Sequence, residues 1–392
     1  MLSKYTRWGE RSHFNSSWNA SGQIPERAVD KGMIGWFGSF DASEGGSTSR
    51  TNLQFLHRFD TGDSGVVNSD FYLSYYTFNL FSDFTFMLND PENWDEINQR
   101  EKRIIGGGHT EYTAHFHVRE HACKWAAGAG FRYDHIMDIA LYHARNRHHI
   151  GTYALGDIDQ SNLFAYGGME INLGRVMINP SVRVDLFHFS YADKTAADFN
   201  SRGNAQAFVS PKLNVIYNPS ERVQLYIKGG RGFHSNDARV VVVEDGKNVL
   251  PQALGADFGI HYKPCDNVVL NSAVWYLHMN EELVYVGDEA VVEPSGKSRR
   301  FGVDLGVRWD FLNNFYLQAD YTYSNARMTE EPKGENYIPL APVHTALGGL
   351  TYKNKHVNAG VHCRWIADRP ANEDNSLTAK GYFITDLNAS YT

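Results

Sequence analysis

Residues 303–324 alternate between apolar and polar side chains too regularly for a helix. Val303, Leu305, Val307 and Trp309 fall on one side, with Asp304, Gly306, Arg308 and Asp310 on the other. After Phe311-Leu312-Asn313-Asn314 the alternation resumes, with Leu317, Ala319, Tyr321 and Tyr323 opposed to Gln318, Asp320, Thr322 and Ser324. Successive side chains of a strand point to opposite faces, so each segment is a strand with one apolar and one polar side. The pattern recurs along most of the 392 residues. It predicts an all-β fold: an antiparallel transmembrane β-barrel segment of the bacterial outer-membrane kind, lipid outside and water inside.

Composition matters to this reading mainly through hydropathy. Mean hydropathy is −0.44, which is low because only every second residue of a membrane strand faces lipid. No run of 18 apolar residues occurs, so the sequence contains no candidate for a transmembrane helix. The 22 Tyr and 23 Phe suit aromatic girdles, and the 35 Gly suit tight turns. A formal charge of −8 argues against a nucleic-acid partner. Cys123, Cys265 and Cys363 are odd in number and widely spaced, which indicates neither a disulfide framework nor a zinc knuckle. No cofactor is implied.

Connections alternate in length. Short turns are expected at Asn218-Pro219-Ser220-Glu221, Lys263-Pro264-Cys265-Asp266-Asn267, Leu312-Asn313-Asn314 and Lys353-Asn354-Lys355. Longer polar stretches cover about residues 90–100, 145–160, 192–204, 234–251, 287–298, 329–340 and 368–379. Short turns on one side and long loops on the other are the habit of outer-membrane barrels. The count is about sixteen strands, ending with 381–392. Ser69–Leu88 reads as one strand that projects beyond the membrane. Within the first 48 residues, 22–27 and 41–46 read as one long loop with a short strand between. Met1-Leu2-Ser3-Lys4-Tyr5-Thr6-Arg7-Trp8 lacks an apolar signal-peptide core, which leads to the expectation that the chain is a piece of a longer protein.

Several stretches together resemble a TonB-dependent receptor of the Gram-negative outer membrane. They are Ser21-Gly22-Gln23-Ile24-Pro25-Glu26-Arg27-Ala28-Val29, Gly230-Arg231-Gly232-Phe233-His234-Ser235-Asn236-Asp237-Ala238-Arg239, and Glu282–Asp288 followed by Glu293-Pro294-Ser295-Gly296 and Arg299–Val303. Ala319-Asp320-Tyr321-Thr322-Tyr323 and Ile338-Pro339-Leu340-Ala341-Pro342 continue the series. The resemblance implies a barrel of about twenty-two strands with a plug domain in its lumen. It also implies energised uptake of a scarce nutrient, commonly a ferric siderophore, with a periplasmic energy-coupling protein pulling on the plug. On this reading residues 1–392 are part of the barrel domain, the plug is absent, and the intact protein sits in outer-membrane lipid. The alternatives are a passive channel or adhesin barrel, and an outer-membrane hydrolase.

Phe233, His234, Asp237 and Arg239 are the candidate ligand contacts, placed where a strand enters a long loop. They supply the aromatic and cationic groups that an anionic ferric chelate needs. A loop-capping turn, or packing against a plug, explains the same residues. The clusters His115, His117, His121 and His143, His148, His149 suggest either a metal site or polar decoration of a wet surface. Asp185, Asp304 and Asp320 with Arg183 and Arg308 read as ion pairs across neighbouring strands. No Ser-His-Asp constellation supports a nucleophile. Gly106-Gly107-Gly108 lacks the Lys-Ser/Thr and helix that phosphate binding needs.

Overall fold

A computed structural model describes residues 4–7, 11–19, 24, 26–39, 41–62, 65–83, 85–88, 90–196, 201–234, 250–281, 283–286, 291–294 and 296–392. Strands β1 (Lys4–Arg7) and β2 (Arg11–Asn19) lie end to end along one side of β3 (Gly45–Asp60). The short helix α1 (Glu26–Asp30) separates β2 from β3. The chain then meanders through β4 (Gly65–Ser82), β5 (Ile97–Val118), β6 (His121–Arg145), β7 (His148–Asn172), β8 (Val176–Asp193) and β9 (Ser201–Ser220). Next come β10 (Val223–Phe233), β11 (Gln252–Cys265) and β12 (Val268–Met279).

A separate hairpin, β13 (Leu283–Val286) with β14 (Val291–Pro294), interrupts the sheet. The sheet resumes with β15 (Ser298–Phe311), β16 (Phe315–Met328), β17 (His344–Lys353) and β18 (Val357–Ile366). A small pair, β19 (Arg369–Pro370) and β20 (Thr378–Ala379), precedes β21 (Tyr382–Tyr391), which pairs with β18. Every pairing is antiparallel. Among the described residues seventeen segments belong to the main sheet, and because β1 and β2 share one position they fill sixteen.

The register sorts the side chains into two faces, because directly opposed residues of neighbouring strands share a face. Leu270, Val307 and Ala319 form one row, and Val274, Val303 and Tyr323 another, both on the apolar face. Asn271, Gly306 and Asp320 form a row on the polar face. Residues that a soluble protein would bury are open here: Leu305 is 48 % exposed and Leu163 58 %. Aromatic rings border the apolar band. At the short-turn end Trp309, Phe311, Phe315 and Tyr352 run ring to ring with centroids 4.8, 5.5 and 5.0 Å apart. At the far end Tyr321 and Tyr323 flank His344. Trp309 to Phe301 is about 27 Å of strand, which a tilt of about 40° reduces to about 20 Å, near the height of a membrane-barrel girdle.

Many glycines lie inside strands on the polar face, beneath the aromatic ring of the opposed residue, rather than in turns. Gly107 lies opposite Tyr72, Gly128 opposite Tyr166, Gly259 opposite Tyr226 and Gly302 opposite Trp275. A Cβ at any of these four would overlap the ring. Gly106-Gly107-Gly108 is therefore a packing site within β5.

Strands β5 to β8 extend well past the aromatic border. From Tyr133 to the buried Ala144 there remain about 36 Å of strand. The expected long loop over 145–160 is replaced by a two-residue turn, Asn146-Arg147, with φ of 49° and 65°. Its polar composition belongs to strands that have left the apolar band. The strand expected over Ser69–Leu88 runs instead over Gly65–Ser82, and the following connection runs from Asp83 to Glu96 rather than over 90–100, because residues 97–100 are paired within β5. Helix α1, not a strand, lies between 22–27 and 41–46, overlapping the first of these stretches, and strands precede it. The 218–221 and 263–267 turns shrink to Glu221-Arg222 and Asp266-Asn267, since β9 and β11 run through Ser220 and Cys265.

Candidate functional site

Strand β10 carries the candidate motif. It pairs with β11 as far as Phe233, whereas its last partner on β9 is Lys212, opposite Gly230. Arg231, Gly232 and Phe233 thus keep one flanking strand, and their side chains have room to fold over the polar face. Phe233 does so. Its ring meets Phe187 edge-on at 5.4 Å and Phe208 at 4.8 Å. These join the buried Phe189, Tyr191, Leu250, Ile136 and Ile158 in a dry cluster on the polar wall. The His234 N–H donates to the Pro251 carbonyl at 3.0 Å, and the Leu250 N–H donates to Gln206 Oε1 at 3.2 Å. The base of the intervening loop is thereby tied to the wall. His234 is exposed at that rim. Of the four candidate contacts, the structure places Phe233 and His234. Asp237 and Arg239 lie outside the described residues, as does most of 234–251.

Four residues from Phe208 along β9, about 13 Å of strand, a cavity of 720 Å³ opens in the same wall. Its floor is bare because Gly230 and Gly255 oppose one another in register, with Lys212 opposite Gly230. Arg183, Lys212, Asn214, Lys228, Arg231 and Asp257 are among the side chains lining it. Arg183 is already committed: it bonds the fully buried Asp185 at 2.7 Å and stacks on Phe164 at 3.9 Å. Lys212, Lys228 and Arg231 form no ion pair among the described residues. Ring faces hold two of them instead, Lys228 over Tyr226 at 4.3 Å and Arg231 over Phe208 at 4.6 Å. Asn214 Oδ1 is shielded from solvent and accepts no hydrogen bond. The alternation of 226–231 places Lys228 on the polar face, but only the register brings Lys212 to it.

The remaining charged residues of the polar wall are paired more locally than the sequence predicts. Glu101–Arg103, Arg132–Asp134 and Arg183–Asp185 pair along a single strand, whereas Arg308–Asp320 at 2.9 Å and Lys124–Glu170 at 3.1 Å cross between neighbouring strands. Asp304 accepts from the Thr322 hydroxyl. Of the histidines, His143 bonds the Trp94 carbonyl at 2.7 Å and stacks on Tyr153, while His149 bonds Thr152. Among the described residues no three His, Cys, Asp or Glu side chains are arranged to hold a metal ion.

The family model described as "TonB dependent receptor-like, beta-barrel" matches residues 2–392. The chain is 23% identical over 224 residues to the ferrioxamine receptor of Yersinia enterocolitica, covering 55% of this chain and 31% of that protein. It is 20% identical over 281 residues to the catecholate siderophore receptor Fiu of Escherichia coli (strain UTI89 / UPEC), covering 62% and 37%. The unliganded ferric citrate transporter FecA superposes on all of it with a TM-score of 0.80, at 14% identity and over 62% of that chain. The chain thus spans about a third of the length of the curated relatives it matches.

Proposed function

Because this chain belongs to the TonB-dependent receptor β-barrel family, we propose that it forms the wall of a Gram-negative outer-membrane receptor for energised uptake of a ferric siderophore. The sixteen strands belong to a closed barrel whose apolar face meets lipid and whose polar face lines the lumen. A plug domain within that lumen links the receptor to a periplasmic energy-coupling protein. The observation that carries the ligand reading is the rim at Phe233 and His234, an aromatic wall continuous with unpaired cations. Such a surface recognises a preformed, oxygen-rich chelate without supplying metal ligands of its own. The siderophore receptors it resembles favour the same cargo class.

Uptake of radioactive iron by whole cells, offered as a hydroxamate or a catecholate chelate, tests the proposal. His234→Ala combined with Arg239→Ala should lower uptake at least tenfold while the amount of folded barrel stays constant. Unchanged uptake would reduce the motif to a structural turn, and absence of uptake in the unaltered receptor would remove the siderophore reading.

A further inference from the structure

The outer face carries an unbalanced charge where the apolar band ends. On β15 the last apolar residue of that face is Phe301, opposed by Tyr276 on one side and Asn325 on the other. One step further out the same face presents Arg299, with His278 opposite on β12 and Arg327 opposite on β16. Two arginines therefore stand side by side on neighbouring strands. Among the described residues no other two lysines or arginines, and no two carboxylates, are directly opposed in register. Like charges so placed repel, and an anion between them removes the cost. The chain supplies none. Arg299 is exposed and forms no ion pair among the described residues. Arg327 lies over the Tyr337 ring at 4.1 Å and gives an N–H to the Ala326 carbonyl, which leaves its charge unneutralised. Glu330, at the start of the following loop, is taken by Lys297 at 2.6 Å.

Below these cations a groove of 600 Å³ opens on the same face, lined by Leu270, Leu305 and Val307 and kept low by the small side chains of Ala319 and Ala346. From Arg299 to Leu305 is about 20 Å of strand, or about 15 Å of depth at a tilt of about 40°. We infer that this site holds one outer-leaflet lipid by its phosphate. Arg299 and Arg327 bond the phosphate oxygens at headgroup level, and an acyl chain lies in the groove beneath. A free phosphate would meet only the cations, whereas a lipid satisfies the cations and the groove together. The site is on the outside of the sheet, so what fills the lumen does not alter it. It rests on the lipid-facing assignment of the apolar face and not on the uptake reading.

Lipid A, a diphosphorylated glycolipid, is the probe, added to the native receptor purified in detergent and followed by native mass spectrometry. One molecule retained per receptor is expected, held at least tenfold more tightly than its dephosphorylated form and weakened at least tenfold in R299Q/R327Q. A319F, which fills the groove, should weaken retention as well, and inorganic phosphate at the same concentration should not displace the lipid. Heat-modifiable mobility in gels establishes that each variant is folded. Should the double variant fail to fold, R299Q alone must weaken retention while R299K, which keeps the charge, preserves most of it. Equal retention of the two lipid forms, equal retention by the folded neutral variants, or displacement by inorganic phosphate overturns the inference. Phosphate-dependent lipid retention without uptake of any ferric chelate leaves the site standing and removes the uptake reading; uptake by a receptor that retains no lipid A does the reverse.

Discussion

The backbone N–H of Arg147 donates to both carboxylate oxygens of Glu96, at 3.3 and 3.2 Å. The Arg147 side chain reaches a third segment, donating through Nε to the Ser43 carbonyl at 2.5 Å and through Nη2 to the Glu44 carbonyl at 3.1 Å. The Ser43 hydroxyl returns to Glu96 at 2.8 Å. One buried carboxylate therefore fastens the chain before β3, the 83–96 connection and the β6–β7 turn, beyond the apolar band.

Glu96→Ala removes the acceptor for the Arg147 backbone N–H and the Ser43 hydroxyl inside a site where Glu96 is 1 % exposed. The expected outcome is local opening that costs about 2 kcal/mol, with the rest of the sheet intact. Hydrogen exchange resolved by mass spectrometry should show loss of protection over 43–47 and 144–150. Protection equal to that of the unaltered protein would refute the clasp.

Asp83, fully buried in the same region, is pushed up from 3.8 to about 6, chiefly by burial and further by Asp41, Asp95 and Glu44, against the Phe86 N–H that it accepts. A carboxyl raised in the folded state stabilises at low pH, and that contribution disappears as pH climbs from about 4 to about 6. The loss amounts to at most about 3 kcal/mol. The junction should accordingly loosen with rising pH through this window. Asp83→Asn should flatten the dependence and protect the junction at pH 7. A slope of opposite sign in pH-resolved hydrogen exchange would exclude this account.

The two faces of β15 differ in tolerance. Val307 lies on the apolar face, so Val307→Arg should destabilise the barrel by roughly 2–4 kcal/mol. Arg308, on the polar face, pairs with Asp320 at 2.9 and 3.0 Å while partly hydrated, and Arg308→Gln should cost less than about 1 kcal/mol. Urea titrations of the native receptor in lipid vesicles rank the two, and a reversed ranking would invert the face assignment.

Gly302 lies beneath the Trp275 ring, with the Tyr323 carbonyl also close to where a Cβ would go. Gly302→Val should displace the indole and cost about 1–3 kcal/mol through overpacking. A shift of Trp emission, lost again when Trp275→Phe is added, is the expected signature. An unchanged spectrum together with unchanged stability would show that the ring moves aside freely.

Period-two alternation at 303–324 was enough to establish strands, their faces and the short turn between them, because a strand with one face in lipid must alternate. It failed at 145–160, where the strands run past the apolar band and scattered apolar residues such as Ile150 and Ile158 make no continuous apolar face. A polar strand and a polar loop then have the same composition, and only backbone pairing tells them apart. The same limit applies to the candidate site. Phe233 and His234 were legible as a motif at a strand end. Which neighbours they meet depends on cross-strand register, which places Lys212 beside Gly230 and folds Phe233 onto Phe187. Arg147 and Glu96 meet for the same reason. Sequence determines which way a side chain points; the tertiary structure decides what stands opposite it, because hydrogen-bonded register links residues that no local pattern connects.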